Sequence, residues 1–168
     1  VGVDAARGET RGSVRLLGSG AILREVIAAA DLLAQDWGVA SEVWSVTSFT
    51  ELAREARAVE RWNRLHPLQP ARSSHLADCL AGAAPVIAAT DYVRALPQLI
   101  ASYLEPSYSA LGTDGFGRSD TRSALRRFFE VDRHHITIAA LYSLVRNGVI
   151  AADTCAAAIT RYGVDADA

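Results

Sequence analysis

Hydrophobic positions along this chain switch between a spacing of two and a spacing of three to four, and the alternation predicts an α/β architecture. Ser13-Val14-Arg15-Leu16-Leu17 has the composition of a strand and runs into Gly18-Ser19-Gly20, a tight turn. From Ala21 to Gln35 the apolar residues Ile22, Val26, Ala29, Leu32 and Leu33 fall on one helical face, with Gly38 as the expected stop. The plan then repeats. Glu42 to Thr47 is rich in β-formers, and Ser48-Phe49-Thr50-Glu51 has the Ser-x-x-Glu form of a capping box ahead of a helix to about Arg64. That helix has a sparse stripe of Leu52, Ala56, Val59 and Trp62 among many charges, so it is expected at the surface. Upstream, Val1 to Ala5 is expected to be a short edge strand, with a polar turn over residues 7–12.

His66-Pro67-Leu68-Gln69-Pro70 breaks the pattern, because each proline biases its predecessor away from helix. A short helix is expected from Ser73 to Leu80, stopped by Gly82. Pro85 to Thr90 is apolar throughout, as a central parallel strand should be. Asp91 is the expected cap of a helix to about Tyr103, kinked at Pro97. Tyr108 to Leu111 is the next strand, and Gly112-Thr113-Asp114-Gly115-Phe116-Gly117 the loop behind it. Ser119 or Asp120 should start a helix to Phe129 that buries Leu125, Phe128 and Phe129 and turns Arg122, Arg126 and Arg127 outward. Asp132 should cap a helix to Asn147, stopped by Gly148. Asp153 should cap the last one, to about Tyr162. Alternating strands and helices imply a mostly parallel sheet with helices on both faces, in one domain over residues 1–168.

Composition narrows the function classes. A net charge of −2 argues against a nucleic-acid or membrane-surface partner, and no apolar run approaches the roughly eighteen residues of a membrane span. All seventeen basic residues are arginine, which excludes a lysine Schiff base within the chain. Cys79 and Cys155 have no metal-type spacing and are expected as reduced, buried thiols. The N-terminus shows no basic segment followed by an apolar one, so a cytoplasmic location is expected. Methionine is absent even at position 1, which suggests a piece of a longer polypeptide.

Candidate chemistry is thin. Gly18-Ser19-Gly20 falls short of a dinucleotide fingerprint, since the third glycine would fall at Leu23. The spacing gives none of His66, His75, His134 and His135 a metal-ligand partner, and His66 beside Trp62 is the best candidate for a structural hydrogen bond. Ser19, Ser48 and Ser119 lie in no nucleophile elbow and suit caps and turns. What the pattern does supply is four strand ends, at Gly18 to Gly20, Thr47 to Thr50, Thr90-Asp91 and Gly112 to Gly117, all on one edge of a parallel sheet. That edge suits docking, with Ser48, Phe49, Asp91, Asp114, Phe116, Arg118 and Asp120 as candidate interdomain or dimer contacts.

Several runs carry a family resemblance. They are Leu16 to Arg24, Val46 to Arg54, Glu60 to Pro67, Ala89 to Tyr92, and Leu111 to Asp120 followed by Phe129 to Asp132. Together they resemble, in order and over nearly the whole chain, the C-terminal domain of the homodimeric bacterial pyruvate dehydrogenase decarboxylating component. The resemblance implies a transketolase-like C-terminal domain: three layers, α/β/α, around a mostly parallel five-stranded sheet. It implies a parent enzyme that uses thiamine diphosphate and magnesium to decarboxylate pyruvate and passes the acetyl group to a lipoyl group of dihydrolipoyl acetyltransferase. In that family the metal–diphosphate motif and the activating glutamate lie in other domains. The resemblance therefore transfers no catalytic, cofactor-binding or metal residue to this chain, and it implies that the chain alone binds no cofactor and is inactive. The expected role is packing on the other domains of the same chain and assembly of the homodimer. The alternative is a docking or regulatory surface for the acetyltransferase core, suggested by Arg54, Arg57, Arg61 and Arg64 on one helix. Solvated pairing with Glu51, Glu55 and Glu60 is the plainer account of that helix.

Overall fold

The computed structural model describes residues 10–167. Four strands, β1 (Ser13–Gly18), β2 (Ala40–Ser45), β3 (Val86–Ala89) and β4 (Tyr108–Leu111), pair in the order β2-β1-β3-β4, every neighbour parallel. The register sets Leu16 between Val43 and Ile87, and Ala88 beside Ala110. The sheet thus has four strands among the described residues where five were expected. The edge strand predicted over Val1 to Ala5 lies outside those residues.

Strand alternation splits the core in two. Val14, Leu16 and Ile87 face α1 (Leu23–Trp37), α6 (Arg133–Arg146) and α7 (Ala152–Tyr162). There Val26, Ala29 and Leu33 of α1 and Ile136, Ala140 and Leu144 of α6 are buried together. Leu17, Val86 and Ala88 face the opposite side, against Phe49 and Ala53 of α2 (Phe49–Leu65) and Leu76 of α3 (His75–Cys79). Three layers result.

The helix ends follow local chemistry where the partner is close in sequence. Gly38 ends α1 in the left-handed conformation at φ 63°, which costs glycine nothing. Asp132 caps α6 by accepting from the His135 N–H at 2.9 Å. Ser48 caps α2 in the same way at 3.2 Å, but the Glu51 carboxylate turns outward to Arg54 and does not complete the box.

Other expectations are corrected. Asp91 caps nothing: residues after β3 bend, with the Tyr92 N–H donated to Thr90 Oγ1, and only α4 (Ala95–Gln98) and a 3-10 turn at Ala101–Tyr103 follow. Asp153 sits inside the first turn of α7, and the residue before that helix, Ala151, has no side chain to cap it. α5 (Arg122–Phe128) is capped by Thr121, while Asp120 Oδ1 accepts from the Thr121 N–H at 2.7 Å. Phe128 is 54% exposed and not buried, and Arg126 turns inward.

Candidate interdomain interface at the carboxyl edge of the sheet

Because all four strands are parallel, their carboxyl ends open on one edge, where α/β folds place their ligands and partners. The turn after β1 is closed there. A Cβ at Gly18 would come within 2.8 Å of Leu23 Cα, so the glycine lets the strand and helix meet. Gly20 takes φ 58°, and a Cβ there would sit 3.1 Å from Asp91 Oδ1. Ser19 donates its N–H to the Ala89 carbonyl, which ties this turn to β3.

The loop after β4 has a stitched base and a free tip. At its base, Thr113 donates its N–H to the Tyr92 carbonyl and its hydroxyl to the Asp91 carbonyl at 2.8 Å. Gly112 is buried against the Arg94 backbone, where a Cβ would meet the nitrogen at 2.7 Å. Asp114 accepts the Arg94 N–H at 2.9 Å and lies 3.4 Å from its guanidinium, so it serves as the cap that α4 lacks in its own sequence. At the tip, Gly115 (φ 93°) and Gly117 have nothing within 4 Å of a built Cβ, and Phe116 between them is 97% exposed. Arg118 then lies over the Phe128 ring, 4.1 Å from its centroid, and Phe128 meets Phe129 edge-on.

Beside Phe116 a groove of about 420 Å³ is floored by Ile22, Leu125, Phe129 and Val131 and rimmed by Arg118, Arg122 and Arg126. Asp91 is the one carboxylate in that lining. Tyr92 and Val93, also on this edge, are 60% and 51% exposed. The expected contact residues therefore separate. Asp91, Asp114, Phe116, Arg118 and Asp120 are exposed on or beside the β4 loop. Ser48 is engaged as a half-buried cap, and Phe49 is buried in the core and not on the open edge.

Behind the groove lies a cluster that sequence reading missed. Glu25 is buried, and it accepts from Arg126 Nη1 at 2.9 Å, from Arg133 Nε at 3.0 Å and from the Arg133 N–H at 3.2 Å. Burial pushes its pKa up, but the hydrogen bonds and charges of Arg133 and Arg126 outweigh that and hold the carboxyl below its usual value. Glu25 falls on the apolar stripe of its own helix, three residues after Ile22 and four before Ala29, and that misplacement was the available signal.

The histidines find local partners. His66 stacks on Trp62 at 4.4 Å and its Nδ1 bonds the Trp62 carbonyl at 2.8 Å, the structural role expected of it. His135 Nδ1 lies 2.7 Å from Asp132, and His75 Nε2 lies 3.5 Å from Cys79 Sγ, two pairings the spacing analysis passed over. Both cysteines are free thiols; Cys155 is buried and Cys79 half-buried. Among the described residues no three His, Cys, Asp or Glu side chains converge in a way that would hold a metal ion. No helix among them is long and apolar enough to cross a membrane.

This parallel sheet, covered on both faces and open at its carboxyl edge, matches a known class. The family model described as the transketolase-like TK C-terminal domain matches residues 3–132, and the chain belongs to that family. Solved structures agree on the fold. A split-gene transketolase, described as an inactive beta4 tetramer, superposes with a TM-score of 0.53 at 16% identity, over 86% of this chain and 42% of that one. Transketolase from Leishmania mexicana gives 0.52 at 16% identity, over 87% of this chain and 18% of that one. Within the family the chain is similar to pyruvate dehydrogenase E1 components. It is 58% identical over 153 residues to that of Cupriavidus necator and 48% identical over 159 residues to that of Escherichia coli K12. These alignments take in 90% and 94% of the chain but only 17% and 18% of the relatives, so the chain spans less than a fifth of their length.

Proposed function

We propose that this chain is the C-terminal domain of a thiamine diphosphate-dependent pyruvate dehydrogenase and serves domain packing and dimer assembly. In this reading the parent chain decarboxylates pyruvate and transfers the acetyl group to the lipoyl group of dihydrolipoyl acetyltransferase. Its cofactor and magnesium are held by domains outside this segment, the segment alone is inactive, and the enzyme works in the cytoplasm. The observation that carries the packing role is Phe116: an aromatic ring 97% exposed on a loop whose base is firmly bonded, beside exposed Tyr92 and Val93. An apolar group held out from a fixed base is the form that an interface anchor takes. The α2 arginines offer less support for an acetyltransferase-docking role, since Arg54 pairs with Glu51 and Arg64 with Glu60.

The test uses the full-length enzyme. Phe116→Ala and Arg118→Ala are expected to weaken the dimer in sedimentation or to lower thiamine diphosphate affinity in titration. Unchanged sedimentation and unchanged cofactor binding in both variants would remove the packing reading.

A further inference from the structure

The groove beside Phe116 has a charge sign opposite to that of the molecule. The whole chain is −2, yet the groove rim sets Arg118, Arg122 and Arg126 against Asp91 alone. The three arginines are not equivalent. Arg126 is bonded to buried Glu25 and spends its charge inward. Arg118 is held over the Phe128 ring, which fixes its position and leaves its hydrogen-bond donors without a carboxylate among the described residues. Arg122 is exposed in the first turn of α5 and likewise has no carboxylate within salt-bridge distance among them. Between these two guanidinium groups and the Phe116 ring lies the apolar floor of Ile22, Leu125, Phe129 and Val131.

From this arrangement we infer that the groove receives an acidic segment of the parent polypeptide, one that places an Asp or Glu against Arg118 and Arg122 and an apolar side chain beside Phe116. The inference rests on the packing role proposed above and adds to it the chemistry of the partner surface. Charge complementarity selects the occupant: an arginine fork recognises a carboxylate through two parallel hydrogen bonds, and the apolar floor gains from a neighbouring hydrophobic side chain. Arg118 needs little reordering to bind, because its stack on Phe128 already holds it on the rim.

A photo-crosslinking experiment on the full-length enzyme separates the two levels of this reading. A benzophenone side chain replaces Phe116, the purified dimer is irradiated, and the crosslinked peptides are identified by mass spectrometry. The expected product joins position 116 to a segment upstream of this domain that has an Asp or Glu within three residues of the crosslink. Arg122→Glu should lower its yield by about threefold, the scale of an exposed ion pair, and Arg122→Lys, which keeps the charge but loses the fork, should restore only part of it. A crosslink to a segment without acidic residues, or a yield indifferent to Arg122→Glu, overturns the acidic-segment inference and leaves the packing role standing. The absence of any crosslink to the rest of the chain overturns both. Arg122 is exposed and touches no core residue's hydrogen bonds, so loss of folding does not confound the comparison.

Discussion

The turn after β1 and the loop after β4 leave the sheet at the same edge and both contain glycines, yet only in the first is every glycine packed against the chain itself. At Gly18 and Gly20 each missing side chain has an internal cause: a helix backbone at 2.8 Å in one case, an Asp91 carboxylate in the other. Gly112 belongs to the same kind, pressed on the Arg94 backbone. Gly115 and Gly117 face open space, so the fold itself requires a glycine at 115 only for its positive φ and requires none at 117. A glycine with an internal neighbour reports packing. A glycine without one, next to an exposed aromatic ring, has no such internal reason, which is consistent with the packing surface proposed above.

The largest expected effect breaks the closed loops. Gly18→Ala or Gly112→Ala drives a methyl into main-chain atoms that have no rotamer to escape by, and each should cost about 3 kcal/mol in urea unfolding. A cost near zero would mean that the close approach is not what these glycines serve. Next comes the buried cluster between the loops. Glu25→Gln leaves Arg126 and Arg133 without their carboxylate and should cost about 2 kcal/mol at neutral pH. The sign of its pH dependence follows from the lowered carboxyl pKa. The ionised form is favoured by the fold, so its contribution is complete above the unfolded value of about 4.3 and disappears as pH falls through and below it. Stability curves of the original and Glu25→Gln proteins should therefore separate at pH 7 and converge in acid. Parallel curves would assign the cost to packing alone. The smallest effect is at the open tip: Gly117→Ala should change stability by no more than about 0.5 kcal/mol. A larger loss in this domain would show that the tip is closed by contacts of its own.

The elements were legible because their signals are local. Strand-forming composition or an unbroken apolar run marked the four strands, and the Ser48 and Asp132 caps were readable because donor and acceptor lie three residues apart. Two of the errors have one physical origin, which is distance along the chain. Asp91 had the look of a cap, but the Arg94 N–H is taken by Asp114 from the next loop, twenty positions away. Arg126 fitted an outward face until the fold brought Glu25 to it from 101 positions away along the chain. Phe128 satisfied the periodicity of a buried face, but in the short α5 its ring stays 54% exposed under the Arg118 guanidinium while neighbouring Phe129 packs on the core. In the interface set, Asp114, Phe116, Arg118 and Asp120, all exposed, came from a glycine-rich stretch with no apolar periodicity. Phe49, directly behind the Ser48 cap, already belongs to α2 and lies on its buried face with Ala53 and Ala56.

The strand order has a temporal consequence. β1 pairs on one side with β2, which follows it after a single helix, and on the other with β3, so that Arg15 must find Val86 across everything between them. Closing the short crossover loses less chain entropy than closing the long one, and contacts between remote positions slow a folding reaction. The β1–α1–β2 half is thus the natural nucleus. β3 joins later and β4 later still, so the base around Asp91 and Arg94, stitched by Thr113 and Asp114 of the loop after β4, closes last on this edge.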